Sequence, residues 1–141
     1  MERTQKSTLW LWTTLWLTSF IDALLLYIVV FFASFVLHIP LTGIIALVLL
    51  GICYAAGAYL AARYVVKRSI ITKTSAGKLA FLAILIPLIG SSCLVLFGLY
   101  SNFSKGINLS FVGLGTTVLL DVIILGIVYF IISSYIRAKG D

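Results

Sequence analysis

The chain has 141 residues, of which 62% are hydrophobic and only 10% are charged, and its formal net charge is +6. Soluble domains have roughly 25% charged residues, and a small one needs polar residues to cover its surface. The composition therefore excludes a soluble globular domain, a disordered chain and a nucleic-acid-binding module. Two cysteines are too few for a disulfide scaffold. We expect an all-α integral membrane protein.

Apolar runs between sparse charges predict four transmembrane helices in a single domain that covers residues 1–141. A bilayer core of roughly 30 Å needs about 20 apolar residues in helical form. Pro40 ends the first run, because proline lacks an N–H group and disfavours helix in the residue before it. The predicted spans are Leu9–Leu37, Leu41–Ala62, Leu79–Tyr100 and Ile107–Ile136.

The distribution of cations predicts the orientation of these spans. Nine of the ten Lys and Arg residues lie near the two chain ends or in the basic loop Arg63–Lys78, and the tenth is Lys105. With four spans, the three cationic segments share one side. The positive-inside rule then predicts an up-down-up-down bundle with both termini in the cytoplasm, in a bacterial inner (plasma) membrane. The predicted partner is the lipid bilayer, with anionic lipid at the cytoplasmic face.

Asp22 and Asp121 are the two acidic residues within the predicted spans. A carboxylate at mid-bilayer costs roughly 2.5–3.5 kcal/mol on insertion scales, so it normally faces the bundle interior and marks a functional site. At ~1.5 Å of rise per residue, the two aspartates lie about 20 and 22 Å from the cytoplasmic ends of their helices. We therefore expect them to meet near the midplane, with the first and fourth helices side by side.

Each aspartate continues a polar stripe on one helix face. The first stripe consists of Thr14, Thr18 and Asp22, and the second of Ser110, Gly113, Thr117 and Asp121. Two interpretations remain open. The stripes form a path for protons or cations with the carboxyls as its relay, or they form hydrogen bonds between helices, which contribute ~0.6 kcal/mol each.

Small residues and one proline mark two further helices. Pro87 and Gly90 lie in the third span, where they predict either a hinge or a static kink. The pairs Gly51/Ala55 and Gly57/Ala61 in the second span have the small-xxx-small spacing that allows close helix approach. They predict a packing face, either within the bundle or between two copies in a homodimer.

The layout favours transport over catalysis. Four short-looped spans with an acidic residue in the first resemble the layout of the small multidrug exporters, although no motif is shared. We expect a transport or ion/proton-conducting protein that uses its intramembrane aspartates. The alternative is a non-catalytic accessory or assembly subunit of a larger membrane complex.

The sequence matches none of the catalytic or cofactor-binding motifs considered. Intramembrane aspartyl proteases carry a Gly-x-Gly-Asp segment, but Gly113-Leu114-Gly115 is followed by Thr116. Cys53 and Cys93 lack metal-ligand spacing and are interpreted as packing residues. The single histidine, His38, cannot form a bis-histidine haem site. We therefore expect no enzyme activity, no cofactor and no metal.

Overall fold

The computed structural model describes residues 3–40, 43–104 and 111–141. It is all-helical over these ranges, apart from one isolated β-bridge. The four long helices are α1 (Thr8–Val36), α2 (Gly43–Arg68), α3 (Ala76–Ser104) and α4 (Phe111–Lys139), and a 3-10 turn (Lys73–Ser75) precedes α3. Each of the four is long and apolar enough to cross a membrane.

The helix ends differ from the predicted spans where polar residues continue a helix. α2 extends past Ala62 to Arg68, because Lys and Arg are good helix formers and favour the negative end of the helix dipole. The apolar runs therefore indicate the length that can lie in a membrane, whereas the helices themselves continue into charged sequence.

α1 ends in a Schellman motif rather than directly at Pro40. The N–H of Ile39 donates to the carbonyl of Ser34 at 2.9 Å, and that of His38 donates to the carbonyl of Phe35 at 3.3 Å. His38 has a φ of +57°, in the left-handed region that glycine usually occupies at this position. Pro40 then prevents the helix from resuming.

The order of the helices around the bundle is α1, α2, α4, α3. α1 packs chiefly against α2, α3 packs against α4, and the other two adjacent pairs also make contact. Within the described ranges, no Cα atom of α1 lies within 8 Å of one in α4. The expectation that these two helices lie side by side is therefore wrong. The small residues of α2 explain the difference, because Gly57 faces α1 and Gly51 faces α4, which places α2 between them.

The segments that begin at Arg3 and end at Asp141 meet the loop after α2 at one end of the bundle, which we call the basic end. Thr4 pairs with Ser69 in the β-bridge, and the N–H of Asp141 donates to the carbonyl of Ile71 at 2.7 Å. An Arg3 Nη1–Asp141 Oδ1 ion pair of 2.9 Å links the two terminal segments. Since α2 and α3 lie diagonally, this loop crosses the bundle end, which buries Ser69 and Ile71.

The buried core lies next to the basic end. It contains many alanines, which let the helices approach closely, and Trp12 adds a link between α1 and α3 by donating from Nε1 to the carbonyl of Leu82 at 2.7 Å. The core residues of the helices include Leu11, Leu15, Ala58, Ala61, Ala62, Val65, Leu79, Ala80, Ala83, Val128, Ile132 and Ile136.

Candidate functional site

A cavity of about 520 Å³ lies above this core, on the side away from the basic end, and all four helices line it. Its volume is within the roughly 300–1,000 Å³ range of small-molecule sites. The lining is almost entirely apolar. It includes Trp16, Phe20, Ala23 and Tyr27 from α1, Gly51 and Tyr54 from α2, Pro87, Gly90 and Ser91 from α3, and Asp121 and Leu125 from α4.

The cavity forms where inward-facing positions change from well-packed to small or polar residues. In α4, the buried residues Leu125, Val128, Ile132 and Ile136 follow the spacing of three and four residues that keeps side chains on one face. Asp121 is the next position in this series. A carboxyl group therefore occupies a position where the helix would otherwise place a core side chain.

Small residues on the facing helices leave this layer of the bundle unfilled. Gly51 in α2, Gly90 in α3 and Ala23 in α1 all line the cavity. A Cβ atom on Gly90 would have no atom within 4 Å, so the space beside it is open. The layer of the bundle beside Asp121 therefore leaves room for a ligand.

Asp121 is the acidic residue in the cavity lining. Within the described ranges its carboxyl group has no ion-pair or hydrogen-bond partner, and the Arg3–Asp141 pair lies at the basic end. A carboxylate in apolar surroundings is stabilised by an opposite charge or by a proton. The chemistry of the cavity therefore favours a ligand with an apolar body and a positive charge.

Aromatic side chains in the lining support the same ligand class. Trp16, Phe20, Tyr27 and Tyr54 line the cavity, and the faces of aromatic rings attract cations. Their apolar surface also favours a ligand that is itself apolar outside its charged atom. Carboxyl and rings together are complementary to a hydrophobic cation.

Asp22 lies on a different face of α1. It is half-buried and is not part of the cavity lining. At about 100° per residue, two positions along a helix are on nearly opposite faces, and Phe20 faces the cavity. The half-buried Thr14 and Thr18 share the face of Asp22. The structure therefore brings Asp121 to the cavity and leaves Asp22 and its stripe outside it.

The second polar stripe is only partly within the described residues. Ser110 lies outside them, and Thr117 is half-buried on α4. Thr117 makes an interaction of its own and does not line the cavity. Of the aspartates and stripe residues that the structure describes, Asp121 alone lines the cavity.

Pro87 and Gly90 both face the cavity from α3. Proline cannot donate the hydrogen bond that the Ala83 carbonyl would receive in a regular helix, and α3 nevertheless continues through it. Ser91 Oγ donates to the carbonyl of Leu88 at 3.2 Å. The wall of the cavity therefore includes the point at which Pro87 removes one hydrogen bond from the α3 backbone.

The two small-residue pairs of α2 differ in what they contact. A Cβ on Gly57 would lie 2.7 Å from the carbonyl oxygen of Ser19, so the α1 backbone approaches closely there. A Cβ on Gly51 would lie 2.8 Å from Ile124 Cδ1. Ala61 is fully buried and Ala55 is half-buried. Gly57 therefore faces α1 within the same chain, and Gly51 faces α4.

Sequence reasoning missed the aromatic residues of the cavity. The available signal is the continuation of each core face by three- and four-residue steps, which leads from Leu125 to Asp121 and from Ala58 to Tyr54.

Within the described ranges, no group of three or more His, Cys, Asp or Glu side chains is placed to hold a metal ion. Cys53 is buried, Cys93 is exposed, and both are free thiols.

Comparisons of the chain with protein-family models, curated proteins and solved structures found no match. The interpretation of the cavity therefore depends on its own residues.

Proposed function

We propose that this chain is an integral membrane transport protein that binds a hydrophobic cation beside Asp121 and exchanges it for a proton. The observation that carries the proposal is the apolar cavity of about 520 Å³ with one carboxyl group in its lining. In this exchange the cation and a proton compete for the same carboxyl group, and the carboxylate neutralises the bound cation. Reprotonation on the other side of the membrane would release the cation.

We further propose an up-down-up-down arrangement with the basic end in the cytoplasm of a bacterial cell. The proposal is supported by the positive-inside rule and by the contacts that join the two terminal segments to the loop after α2. In this arrangement the core separates the cavity from the cytoplasm. Transport then requires the helices to move apart near the core, and Pro87 and Gly90 provide the proposed hinge in α3.

Flux through liposomes tests the proposal. The purified chain is reconstituted into liposomes, a pH gradient is imposed, and uptake of the hydrophobic cation tetraphenylphosphonium is measured for wild type, Asp121→Asn and Asp22→Asn. Asn keeps the size and polarity of Asp but cannot exchange a proton. We expect gradient-driven uptake by wild type and Asp22→Asn, and none by Asp121→Asn. Equal uptake by all three proteins would contradict the proposal.

A second candidate function is an accessory subunit of a membrane complex. It is favoured by the outer half of α3, where Leu94, Phe97 and Tyr100 are each about 70% exposed. An accessory subunit would show no flux on its own in liposomes and would co-purify with another membrane protein at fixed stoichiometry. A transporter would show flux without such a partner.

A further inference from the structure

A second concave site, which we call the basic groove, lies at the basic end between α2 and α4. Its volume is about 620 Å³. The groove is separate from the cavity at Asp121, with which it shares no lining residue. Its charged and aromatic lining consists of Arg3, Arg63, Lys67, Lys139, Tyr59 and Tyr135.

The basic groove concentrates positive charge without an acidic side chain in its lining. Arg3 is held in place, because Nη1 donates to Asp141 Oδ1 at 2.9 Å and Nη2 donates to the Ser69 carbonyl at 3.1 Å. Within the described ranges, no acidic side chain forms an ion pair with the other three cations of the groove. A cleft lined by charges of one sign attracts ions of the opposite sign strongly, so the groove is suited to an anion.

Two tyrosines form a wall of the groove on the side towards the apolar part of the bundle. Their rings pack edge to face, with centroids 5.4 Å apart and planes at 87°. Tyr59 precedes Arg63 by one helical turn, and Tyr135 likewise precedes Lys139. Both tyrosines therefore lie where each helix changes from apolar to cationic sequence. Aromatic side chains with one polar end are enriched at the level of lipid headgroups, which is the same kind of boundary.

The face of α2 that leads to the groove changes from apolar to cationic along its length. Ile52, Ala56, Tyr59, Arg63 and Lys67 are spaced so that they share one helix face, and all five are exposed. Ile52 is 60% exposed. An anion with an attached apolar chain would match this face better than an inorganic anion, which has nothing to contact beyond the cations.

We propose that the basic groove binds the phosphate group of an anionic phospholipid, with an acyl chain lying along the exposed face of α2. Arg63, Lys67 and Lys139 contact the phosphate oxygens. This inference rests on the proposed membrane insertion but is independent of transport at Asp121. It names a discrete lipid site rather than a general attraction of basic protein to acidic membranes.

The test compares two triple variants of the full chain that remove the same charge. The groove variant is Arg63→Gln, Lys67→Gln, Lys139→Gln. The control variant is Lys73→Gln, Lys78→Gln, Arg137→Gln, whose three exposed cations are not in the groove lining. Each removes one arginine and two lysines. Binding of a tail-labelled phosphatidylglycerol is followed by fluorescence anisotropy in uncharged detergent micelles.

We expect the groove variant to raise the Kd for phosphatidylglycerol about a hundredfold, since each lost cation is worth about 1 kcal/mol. The control variant should change it less than about threefold, because solvent screens charges outside the site. Labelled phosphatidylcholine should bind wild type weakly. Equal loss in both variants, or no preference of wild type for phosphatidylglycerol, would overturn the inference.

Two further measurements distinguish a lipid phosphate from a soluble anion, and failure of the lipid site from failure of membrane insertion. Millimolar inorganic phosphate or glycerol 3-phosphate should not displace the lipid, and displacement would overturn the lipid assignment in favour of a soluble anion. Thermal unfolding of both triple variants verifies that they fold. If wild type co-floats with phosphatidylcholine vesicles but does not prefer phosphatidylglycerol, the lipid site alone is refuted. If wild type associates with no vesicle, membrane insertion is contradicted.

Discussion

Substitution of Gly57 by alanine tests whether α1 and α2 pack as closely as the fold requires. The new Cβ would lie 2.7 Å from the Ser19 carbonyl oxygen and 2.8 Å from the Ala23 nitrogen. Carbon–oxygen contacts are ordinarily about 3.3–3.6 Å, so the helices must separate by roughly 0.6–0.9 Å. Both contacts are backbone atoms, which cannot rotate away. We expect a loss of about 1–3 kcal/mol in the free energy of unfolding, as in other overpacked sites.

Two glycines of the same chain provide matched controls. A Cβ on Gly98 would have no atom within 4 Å, so Gly98→Ala should leave stability unchanged or raise it by up to about 1 kcal/mol through helix propensity. Gly51→Ala would meet the Ile124 side chain, with Cδ1 and Cγ1 each 2.8 Å away, and a side chain can move aside more easily than backbone atoms, so the loss should be smaller than at Gly57. Unfolding by SDS in micelles, followed by circular dichroism, measures all three. A Gly57→Ala protein as stable as Gly98→Ala would refute the packing of α1 against α2.

Three further predictions concern the cavity, the end of α1 and the orientation. Gly90→Leu adds a side chain into the open space of the cavity, so it should abolish cation uptake in liposomes, whereas Gly98→Leu on the same helix, outside the cavity lining, should not. His38→Gly relieves a left-handed backbone that costs other residues about 1–2 kcal/mol and should raise the unfolding free energy, measured in micelles, where His38→Ala should not. Single cysteines at the exposed positions Thr74 and Ser104, on a cysteine-free background, should react with an impermeant thiol reagent in intact cells only at Ser104, and reaction only at Thr74 would reverse the orientation.

The four helices could be predicted from the sequence because charged residues are absent from long apolar runs. Their arrangement could not, because the exposed residues and the core residues of these helices are both largely apolar. Hydropathy therefore does not distinguish the two faces of these helices. The small-xxx-small pattern predicted a packing face on α2, but it did not indicate that Gly57 faces α1 and Gly51 faces α4, and these two contacts set the order α1, α2, α4, α3.

Only part of the candidate site could be predicted from the sequence. Asp121 was identified because a carboxyl group within an apolar span is costly, and that argument applied equally to Asp22. Only the rotation of each helix separates them, since Asp121 continues the core face of α4 and Asp22 lies away from the cavity face of α1. The aromatic lining was not predicted, because residues such as Trp16 and Tyr54 are common in apolar helices and do not by themselves indicate a cavity.

Binding of two ions of the same shape and opposite charge tests the assignment of the cavity most directly. Tetraphenylphosphonium and tetraphenylborate differ in the sign of their charge, so their comparison separates the carboxyl of Asp121 from general hydrophobic binding. Quenching of Trp16, identified by its loss in Trp16→Phe, reports occupancy of the cavity in micelles. We predict that wild type and Asp22→Asn bind the cation in preference to the anion and that Asp121→Asn loses this preference. Equal binding of both ions by wild type, or an undiminished preference in Asp121→Asn, would contradict a cation site at Asp121.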